Sequence, residues 1–261
     1  MSLREHLERG EAAYGLAACL LRTAELVPLT RACGFDFLLV DTEHTPLTIG
    51  DAATLCVTAQ AAGLPALVRV GGPEHPDLAR VLDIGAQGVV VAHVDSAAQA
   101  ARIVRLCRFA PAGGRSLPSP LARFGFRMPP AAEMARVVEA ETLLVPMIES
   151  AAGVAEAEAI AATPGIDALL VGTNDLAADL GHFGAPEHPA VLAAFARIAA
   201  AARAHGKAFG VIGLPPALLE SHAVALGATL VVVANDVNLL LDGGSAALRQ
   251  VRGAWGGAAP A

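Results

Sequence analysis

The sequence predicts an α/β protein built on a parallel sheet, and three observations support that prediction. Eight short apolar runs recur along the 261 residues, and each is followed by a segment with helical periodicity. Parallel neighbours in a sheet need a crossover helix each time, which this alternation supplies. The length is typical of a closed (β/α)8 barrel, the TIM barrel. An open doubly wound sheet is the main alternative, but the Gly-rich phosphate fingerprint expected after an early strand is missing from the sequence.

Composition argues against several classes of protein. With 54% hydrophobic and 16% charged residues the chain can bury a large core, yet its apolar stretches are too short to span a bilayer. The N-terminus is charged where a signal peptide needs an apolar core, so a cytoplasmic protein is expected. A net charge of −7 without a basic cluster offers no electrostatic attraction for nucleic acid. The four cysteines lack paired spacing, which argues against a zinc site or disulfides.

Strands and helices alternate through the first 110 residues. Leu3 and Leu7 share one face of a short opening helix, which Gly10 can end. Thr23 is the expected N-cap of the next helix, and Gly34 terminates it. The predicted strands are 14–20, 37–40, 66–70 and 88–92, and the helices that follow them are 23–33, 48–62, 75–84 and 96–107.

The segment 109–130 interrupts this alternation. It is rich in Pro and Gly and carries Arg115, Arg123 and Arg127, with neither helical nor strand periodicity. Loops of this length inside a compact domain are usually functional or disordered. The sequence favours a loop that faces the substrate over a mobile surface insertion.

Alternation returns after residue 130. The remaining predicted helices are 131–140, 153–162, 189–205, 216–226 and 245–252, and the remaining strands are 143–148, 168–172, 208–212 and 230–233. The predicted organisation is one barrel domain over 1–252, including the short N-terminal helix, followed by a flexible Gly/Ala tail at 253–261.

Ionisable side chains gather at one end of the predicted strands, and in a parallel barrel the reaction centre lies at the carboxyl ends. Asp36, Asp167 and Lys207 precede their strands and are assigned to the opposite, structural face. The residues at or just beyond the carboxyl ends are Asp41, Glu43, His44, Arg69, His93, Glu149, Asp175 and Asp236.

Glu149 and Asp175 form a candidate metal site. They end adjacent strands, so their oxygens can meet over the barrel mouth and hold a hard divalent ion. Mg²⁺ or Mn²⁺ suits a site with few protein carboxylates, completed by water and substrate oxygens. Two structural interpretations stay open: Asp175 as the N-cap of a helix, and Glu149 as a surface carboxylate of a loop.

His44 and Arg69 are the candidate base and cation. With Asp41 nearby, His44 has the makings of an oriented general base, and a satisfied loop histidine is the alternative. Arg69 lies inside a strand and needs an anion, which either Glu43 or a substrate oxyanion would provide. The only lysine, Lys207, precedes its strand, which argues against a Schiff base and leaves a metal-assisted enolate mechanism open.

Four motifs in this order resemble the HpcH/HpaI aldolases, also called class II pyruvate aldolases. The motifs are 37–44, 68–69, 146–150 and 171–176, and the resemblance runs from the opening helix to the last one. It implies a barrel of the phosphoenolpyruvate/pyruvate-domain type and a divalent cation, Mg²⁺, Mn²⁺ or Co²⁺. It also implies a homohexamer that exchanges C-terminal helices, with which the apolar segment 237–241 is compatible.

The same resemblance implies roles for single residues. Glu149 and Asp175 would bind the metal, Arg69 would stabilise the pyruvate enolate, and His44 with Asp41 would form an acid/base dyad. The implied substrate-binding residues are Gly172, Thr173, Asn174, Met147, Arg115 and Leu214. Met147 stands where the family often has Gln, and the loop 113–116 departs from the family's Gly-Ile-Arg-Gly-like pattern.

The predicted reaction is the reversible cleavage of a 4-hydroxy-2-oxo acid to pyruvate, or a close analogue such as hydroxypyruvate, and an aldehyde. A lyase for citryl or malyl thioesters is an alternative, and it would need a cationic groove to which Arg115, Arg123 and Arg127 can contribute. A non-catalytic barrel that binds oxo acids is a second alternative.

Overall fold

In the computed structural model, which describes residues 2–118 and 120–255, eight parallel strands follow one another around a closed barrel. Strand β8 closes onto β1, where Ala13 lies opposite Leu230. The predicted (β/α)8 barrel is thereby confirmed. The strands are β1 (Ala13–Ala18), β2 (Phe37–Asp41), β3 (Ala66–Val70), β4 (Gly88–Val91), β5 (Leu143–Ile148), β6 (Ala168–Gly172), β7 (Ala208–Ile212) and β8 (Leu230–Asn235).

The helices surround the barrel, and six of those in the described residues begin at a side chain that accepts a backbone N–H of the first turn. Ser2 and Thr48 each form a capping box, with Glu5 and Asp51 respectively, which satisfies amide groups at the first turn. The helices are α1 (Leu3–Glu8), α2 (Leu26–Ala32), α3 (Ile49–Ala61), α4 (Arg80–Asp83), α5 (Ala97–Cys107), α6 (Ala131–Glu141), α7 (Ala151–Ala162), α8 (Thr173–Asp179), α9 (Pro189–Ala204) and α10 (Asp236–Ala254).

Apolar side chains fill two layers. The inner layer lies within the barrel and includes Phe37, Leu39, Met147 and Leu170, all nearly inaccessible to solvent. The outer layer lies between the strands and the helices. Because both faces of most strands are buried, the strands read as continuous apolar runs in the sequence.

Several predicted boundaries are wrong. The predicted helix 75–84 shortens to α4, and the predicted helix 216–226 is a 3-10 turn, Pro216–Leu218, followed by a π turn, Glu220–Val224. Glu25, not Thr23, precedes α2. Helicity depends here on packing that short amphipathic patterns do not specify.

The last helix is longer than predicted at both ends. Helix α10 begins at Asp236, directly after β8, and continues to Ala254, so the boundary placed at residue 252 is wrong. Of the predicted tail 253–261, residues 256–261 lie outside the described residues. Along the described chain, every helix is too short or too polar to cross a bilayer.

The loop 109–130 lies at the opposite end of the barrel from the predicted position. Its Arg115 is buried and pairs with Asp83 at 2.6 Å, and its Arg123 pairs with Glu141. Both acids end helices that lead into the amino ends of strands. The loop belongs to the connection from α5 through α6 to β5, and these two pairs hold it at the amino ends, so it does not face the substrate.

Asp236 joins the end of the barrel to the loop after β1. Its carboxylate is buried and accepts backbone N–H groups from Cys19 at 3.0 Å, Leu20 at 3.0 Å and Leu21 at 2.7 Å. One side chain thus satisfies three amides that belong to no strand. The role of Asp236 is therefore structural, although its position at a strand end predicts a place in the site.

Replacing Asp236 by Asn should destabilise the fold. The amide NH₂ would face backbone N–H groups of Leu20 and Leu21, and a lost charged hydrogen bond together with unsatisfied donors costs about 2–4 kcal/mol. Urea unfolding at one fixed protein concentration measures the loss. Asp242→Asn, an exposed site on the same helix, should change the free energy of unfolding by no more than about 0.5 kcal/mol. Equal stabilities for the two variants would contradict the assignment.

Candidate active site

A cavity of about 530 Å³ opens at the carboxyl ends of the strands, where the sequence places the reaction centre. Apart from Arg115 and Glu149, the predicted site residues line this cavity. They are Asp41, His44, Arg69, Met147, Gly172, Thr173, Asn174, Asp175 and Leu214. Glu149 lies directly behind Gly172, so its carboxylate belongs to the same region. Arg115 is a correction, because its guanidinium is buried against Asp83 and Phe109.

Arg69 is held between two carboxylates. Its Nε and Nη2 atoms donate to the two oxygens of Asp41 at 2.8 and 2.5 Å, and Nη1 lies 3.2 Å from Oε2 of Glu43. Burial lowers the pKa of Arg69, but the hydrogen bond and charge of Asp41 and the charge of Glu43 outweigh it and raise the pKa overall. Arg69 is therefore a fixed cation, and the anion that its position in a strand demands is the Asp41–Glu43 pair.

His44 does not pair with Asp41. The two Asp41 oxygens are taken by Arg69, and Oδ1 also accepts the N–H of Glu43 at 3.0 Å. The bidentate guanidinium is the stronger partner for a carboxylate, which is why the predicted dyad is not formed. Instead, Nε2 of His44 lies 3.7 Å from Oε2 of Glu43, and the His44 side chain is 60% exposed.

Glu149 is buried with its two oxygens in different surroundings. Oε1 accepts the N–H of His93 at 2.7 Å and lies 2.9 Å from Nδ1 of the same residue. Oε2 faces Gly172, where a Cβ atom would come within 2.4 Å of it. Burial raises the pKa of Glu149; the His93 N–H and ring oppose that shift, and the charges of Glu43 and Asp175 add to it.

Asp175 lies in the first turn of α8. The N-cap of that helix is Gly172, so Asp175 is not the cap, and that structural interpretation is removed. Thr173 fixes the start of the helix, because its hydroxyl donates to the carbonyl of Ile212 at 2.7 Å. Asp175 itself lines the cavity, one strand away from Glu149.

The donor set fits a hard divalent cation that is completed by other oxygens. Within residues 2–118 and 120–255, three or more His, Cys, Asp or Glu side chains nowhere converge on a common metal position. Two carboxylates at adjacent strand ends, with space preserved by Gly172, are instead what Mg²⁺ or Mn²⁺ uses when water and substrate supply the remaining ligands. Glu149 and Asp175 are the residues that would hold such an ion.

Cys19 also lines the cavity, and the structure argues against a thiolate there. Burial, with the negative charges of Asp41 and Asp236, raises the pKa of Cys19 to about 11. The thiol is therefore neutral near pH 7, and covalent catalysis through this residue is disfavoured.

Comparison with known proteins agrees with this geometry. The family model described as HpcH/HpaI aldolase/citrate lyase matches residues 20–243. The chain belongs to the HpcH/HpaI family. The hydroxypyruvate/pyruvate aldolase of Paraburkholderia phytofirmans is 37% identical over 256 residues, which cover 96% of this chain and 97% of the relative. A 4-hydroxy-4-methyl-2-oxoglutarate aldolase of Hapsidospora irregularis is 36% identical over 240 residues, covering 90% and 88%. The crystal structure of an HpcH/HpaI aldolase from Desulfitobacterium hafniense superposes with a TM-score of 0.89 at 28% identity, covering 97% of each chain.

Two residues of this HpcH/HpaI site have more contacts than the sequence predicts. The sequence indicates Glu43 only as a partner for Arg69, and His93 only as a polar residue at a strand end. In the structure Glu43 contacts Arg69, His44 and His93. His93 follows β4 by two residues, and that position is the one signal in the sequence that points to it.

Gly172 offers a direct test of the candidate metal site in this HpcH/HpaI protein. In Gly172→Ala the new methyl group would overlap Oε2 of Glu149 and Cε of Met147, at 2.4 and 2.6 Å. We expect the Glu149 carboxylate to be displaced and Mn²⁺ affinity to fall at least about tenfold. Titration calorimetry measures the affinity, and circular dichroism verifies the fold.

Gly50→Ala is the matched control. Gly50 lies in the exposed first turn of α3, where a Cβ would make only an ordinary contact at 3.6 Å with Thr48. That variant should bind Mn²⁺ as the wild type does. Unchanged affinity in Gly172→Ala would show that Glu149 does not need the space beside Gly172.

Proposed function

We propose that this protein is a metal-dependent aldolase that reversibly cleaves a 4-hydroxy-2-oxo acid to an aldehyde and pyruvate, or an analogue such as hydroxypyruvate. One observation carries the proposal. Oε2 of Glu149 faces Gly172 at the end of β6, next to Asp175, and Asp175 and Arg69 line the same cavity. The names of the relatives support it, because they are carbon–carbon lyases that act on such acids. The family supports the same class of reaction.

The chain supplies a charged surface for the reacting oxygens. A divalent cation held by Glu149 and Asp175 would polarise the ketone of the oxo acid and so weaken the bond between C3 and C4. Arg69 is aligned in advance by Asp41, so it needs no reorganisation to stabilise the negative charge that develops on the ketone oxygen. In this proposal the N–H groups at the start of α8 donate to the substrate carboxylate.

His44 is the proposed base. Its side chain is largely exposed to the cavity, and we expect it to take the proton of the C4 hydroxyl directly or through a water molecule. The bond between C3 and C4 then breaks, the aldehyde leaves, and C3 of the pyruvate fragment takes up a proton. Because Asp41 is occupied by Arg69, Glu43 is the carboxylate nearest to the imidazole of His44.

The thioester alternative is the weaker one. It requires a cationic groove near the cavity, but two of its three candidate arginines, Arg115 and Arg123, lie at the amino ends of the strands and are paired with acids. A free hydroxy-oxo acid needs no such groove.

The proposal includes a homohexamer and a cytoplasmic location. Helix α10 is exposed from Asn238 to its end; Leu240 and Leu241 are 64% and 61% accessible, and Trp255, directly after the helix, is 84% accessible. Apolar side chains of this size on one helix support its packing against another subunit. The four cysteines are unbridged, and two of them are buried, which suits a reducing compartment.

Proton exchange tests the proposed function without knowledge of the aldehyde. With Mg²⁺, the enzyme should exchange the methyl protons of pyruvate for deuterium in D₂O, and EDTA should stop the exchange. Pyruvate supplied with a panel of aldehydes should then yield 4-hydroxy-2-oxo acids without any thioester. Pyruvate binding without exchange would favour the non-catalytic barrel instead.

A further inference from the structure

His93 has an unusual backbone conformation at the end of β4. It is one of two non-glycine residues with positive φ in the described part of the chain, at 53°. A non-glycine residue is strained in the left-handed region, so the surrounding structure must hold it there. The conformation points the His93 N–H at Oε1 of Glu149, 2.7 Å away.

The ring of His93 bridges two buried carboxylates. Nδ1 lies 2.9 Å from Oε1 of Glu149, and Nε2 lies 3.1 Å from Oε1 of Glu43. The Glu149 and Glu43 side chains are only 2% and 7% exposed, whereas the His93 side chain is 52% exposed. Each carboxylate therefore depends on His93 for a contact that solvent does not provide.

We propose that His93 is a positioning residue that prepares the metal site. By holding Oε1 of Glu149 with both its N–H and its ring, it leaves Oε2 beside Gly172 and toward the end of β6. The inference rests on the proposed function, because it takes Glu149 as a ligand of the ion.

The same bridge extends to the catalytic cation. Glu43 contacts His93 through Oε1 and Arg69 through Oε2 at 3.2 Å, and Arg69 in turn is paired with Asp41. Without the ring, Glu43 and Glu149 would be buried like charges with no group between them. We expect both carboxylates to move apart, which would misdirect Glu149 and loosen the contact between Glu43 and Arg69.

The test compares Mn²⁺ binding by the wild type and by His93→Gly, using titration calorimetry on the full chain. Glycine adopts the left-handed backbone without strain and keeps the N–H, so only the ring is lost. Removing groups that orient a metal ligand typically weakens affinity 10–100-fold, and we expect a loss within about this range. Equal affinities would overturn the inference alone. Failure of the wild type to bind Mn²⁺ would overturn the proposed function, and this inference with it.

A double variant separates positioning from a general structural effect. In His93→Gly/Glu43→Gln the repulsion between Glu43 and Glu149 is removed, so part of the lost Mn²⁺ affinity should return, by about fivefold or more. A simple structural defect predicts that the two changes add without recovery, and that result would contradict the bridge. His93→Asn, which tolerates the left-handed backbone and can still donate to one carboxylate, should give an intermediate affinity.

His205→Ala is the matched control. His205 pairs with Glu158 at 2.6 Å on the surface between α9 and α7, away from the cavity. The variant removes the same kind of pair and should leave Mn²⁺ affinity unchanged. A loss equal to that of His93→Gly would show that the effect is not specific to the bridge.

Discussion

Glu149→Gln should abolish metal-dependent release of pyruvate, with turnover falling at least about 10³-fold. Metal polarisation of the ketone contributes several kcal/mol to the transition state, and about 4 kcal/mol corresponds to this factor. The amide of glutamine has the same shape as the carboxylate but lacks the negative charge that a divalent cation requires of its ligand. Pyruvate release from a 4-hydroxy-2-oxo acid, followed with saturating Mg²⁺, measures the effect.

The fold of Glu149→Gln should survive. The amide oxygen can still accept the N–H of His93, and a buried neutral group avoids the cost of desolvating a charge. We therefore expect the free energy of unfolding of the metal-free variant to lie within about 1 kcal/mol of the wild-type value. Glu158→Gln, which alters the surface partner of His205, is the control and should keep full activity. Wild-type turnover in Glu149→Gln would remove Glu149 from the metal site.

Arg69→Lys should lower kcat about 10²–10³-fold, the effect of losing one aligned donor to a developing oxyanion. Lysine keeps the charge, but one ammonium group cannot occupy both Asp41 oxygens and also contact Glu43. Because the lost interaction strengthens in the transition state, kcat should fall more than KM rises. Steady-state cleavage kinetics and the exchange of pyruvate protons in D₂O both report it.

A surface pair of the same residue types is the control for Arg69. Arg80 pairs with Asp77 at 3.1 Å and is 61% exposed, so Arg80→Lys should leave kcat unchanged. Arg69→Ala should also destabilise the protein by about 3–5 kcal/mol, because the buried carboxylate of Asp41 would lose both hydrogen bonds from its cation. If Arg69→Lys kept the wild-type kcat, Arg69 would be a structural ion-pair partner and not a catalytic group.

The barrel and the end of it that carries the chemistry could be predicted from residue order alone. Apolar runs of strand length alternate with segments of helical periodicity, and the direction of the chain identifies the carboxyl end of each strand. Asp36 and Asp167 were assigned in this way to the structural face, and they do bind Tyr14 and Arg4 there. The predicted bounds of β3, β5, β6 and β7 are those observed, since buried strands have sharp apolar limits.

The location of the loop 109–130 does not follow from its composition. Its composition indicates a substrate-facing loop, but it lies between α5 and α6 in the connection that leads to β5, and its Arg115 and Arg123 pair with acids at the amino ends of the strands. The elements that a loop connects predict its location better than its composition does. Composition describes only how the loop itself behaves.

The pairing of charges at the site required the three-dimensional arrangement. Asp41 takes Arg69, 28 residues away, rather than His44 three residues on, and His93 holds Glu149 across 56 residues. The sequence offers more than one possible partner for each charged side chain of the site. Distance along the chain does not determine which oxygens a guanidinium or imidazole can reach. Strand order brings the groups to one rim of the barrel, whereas side-chain direction and packing select the partners, and those depend on the assembled barrel.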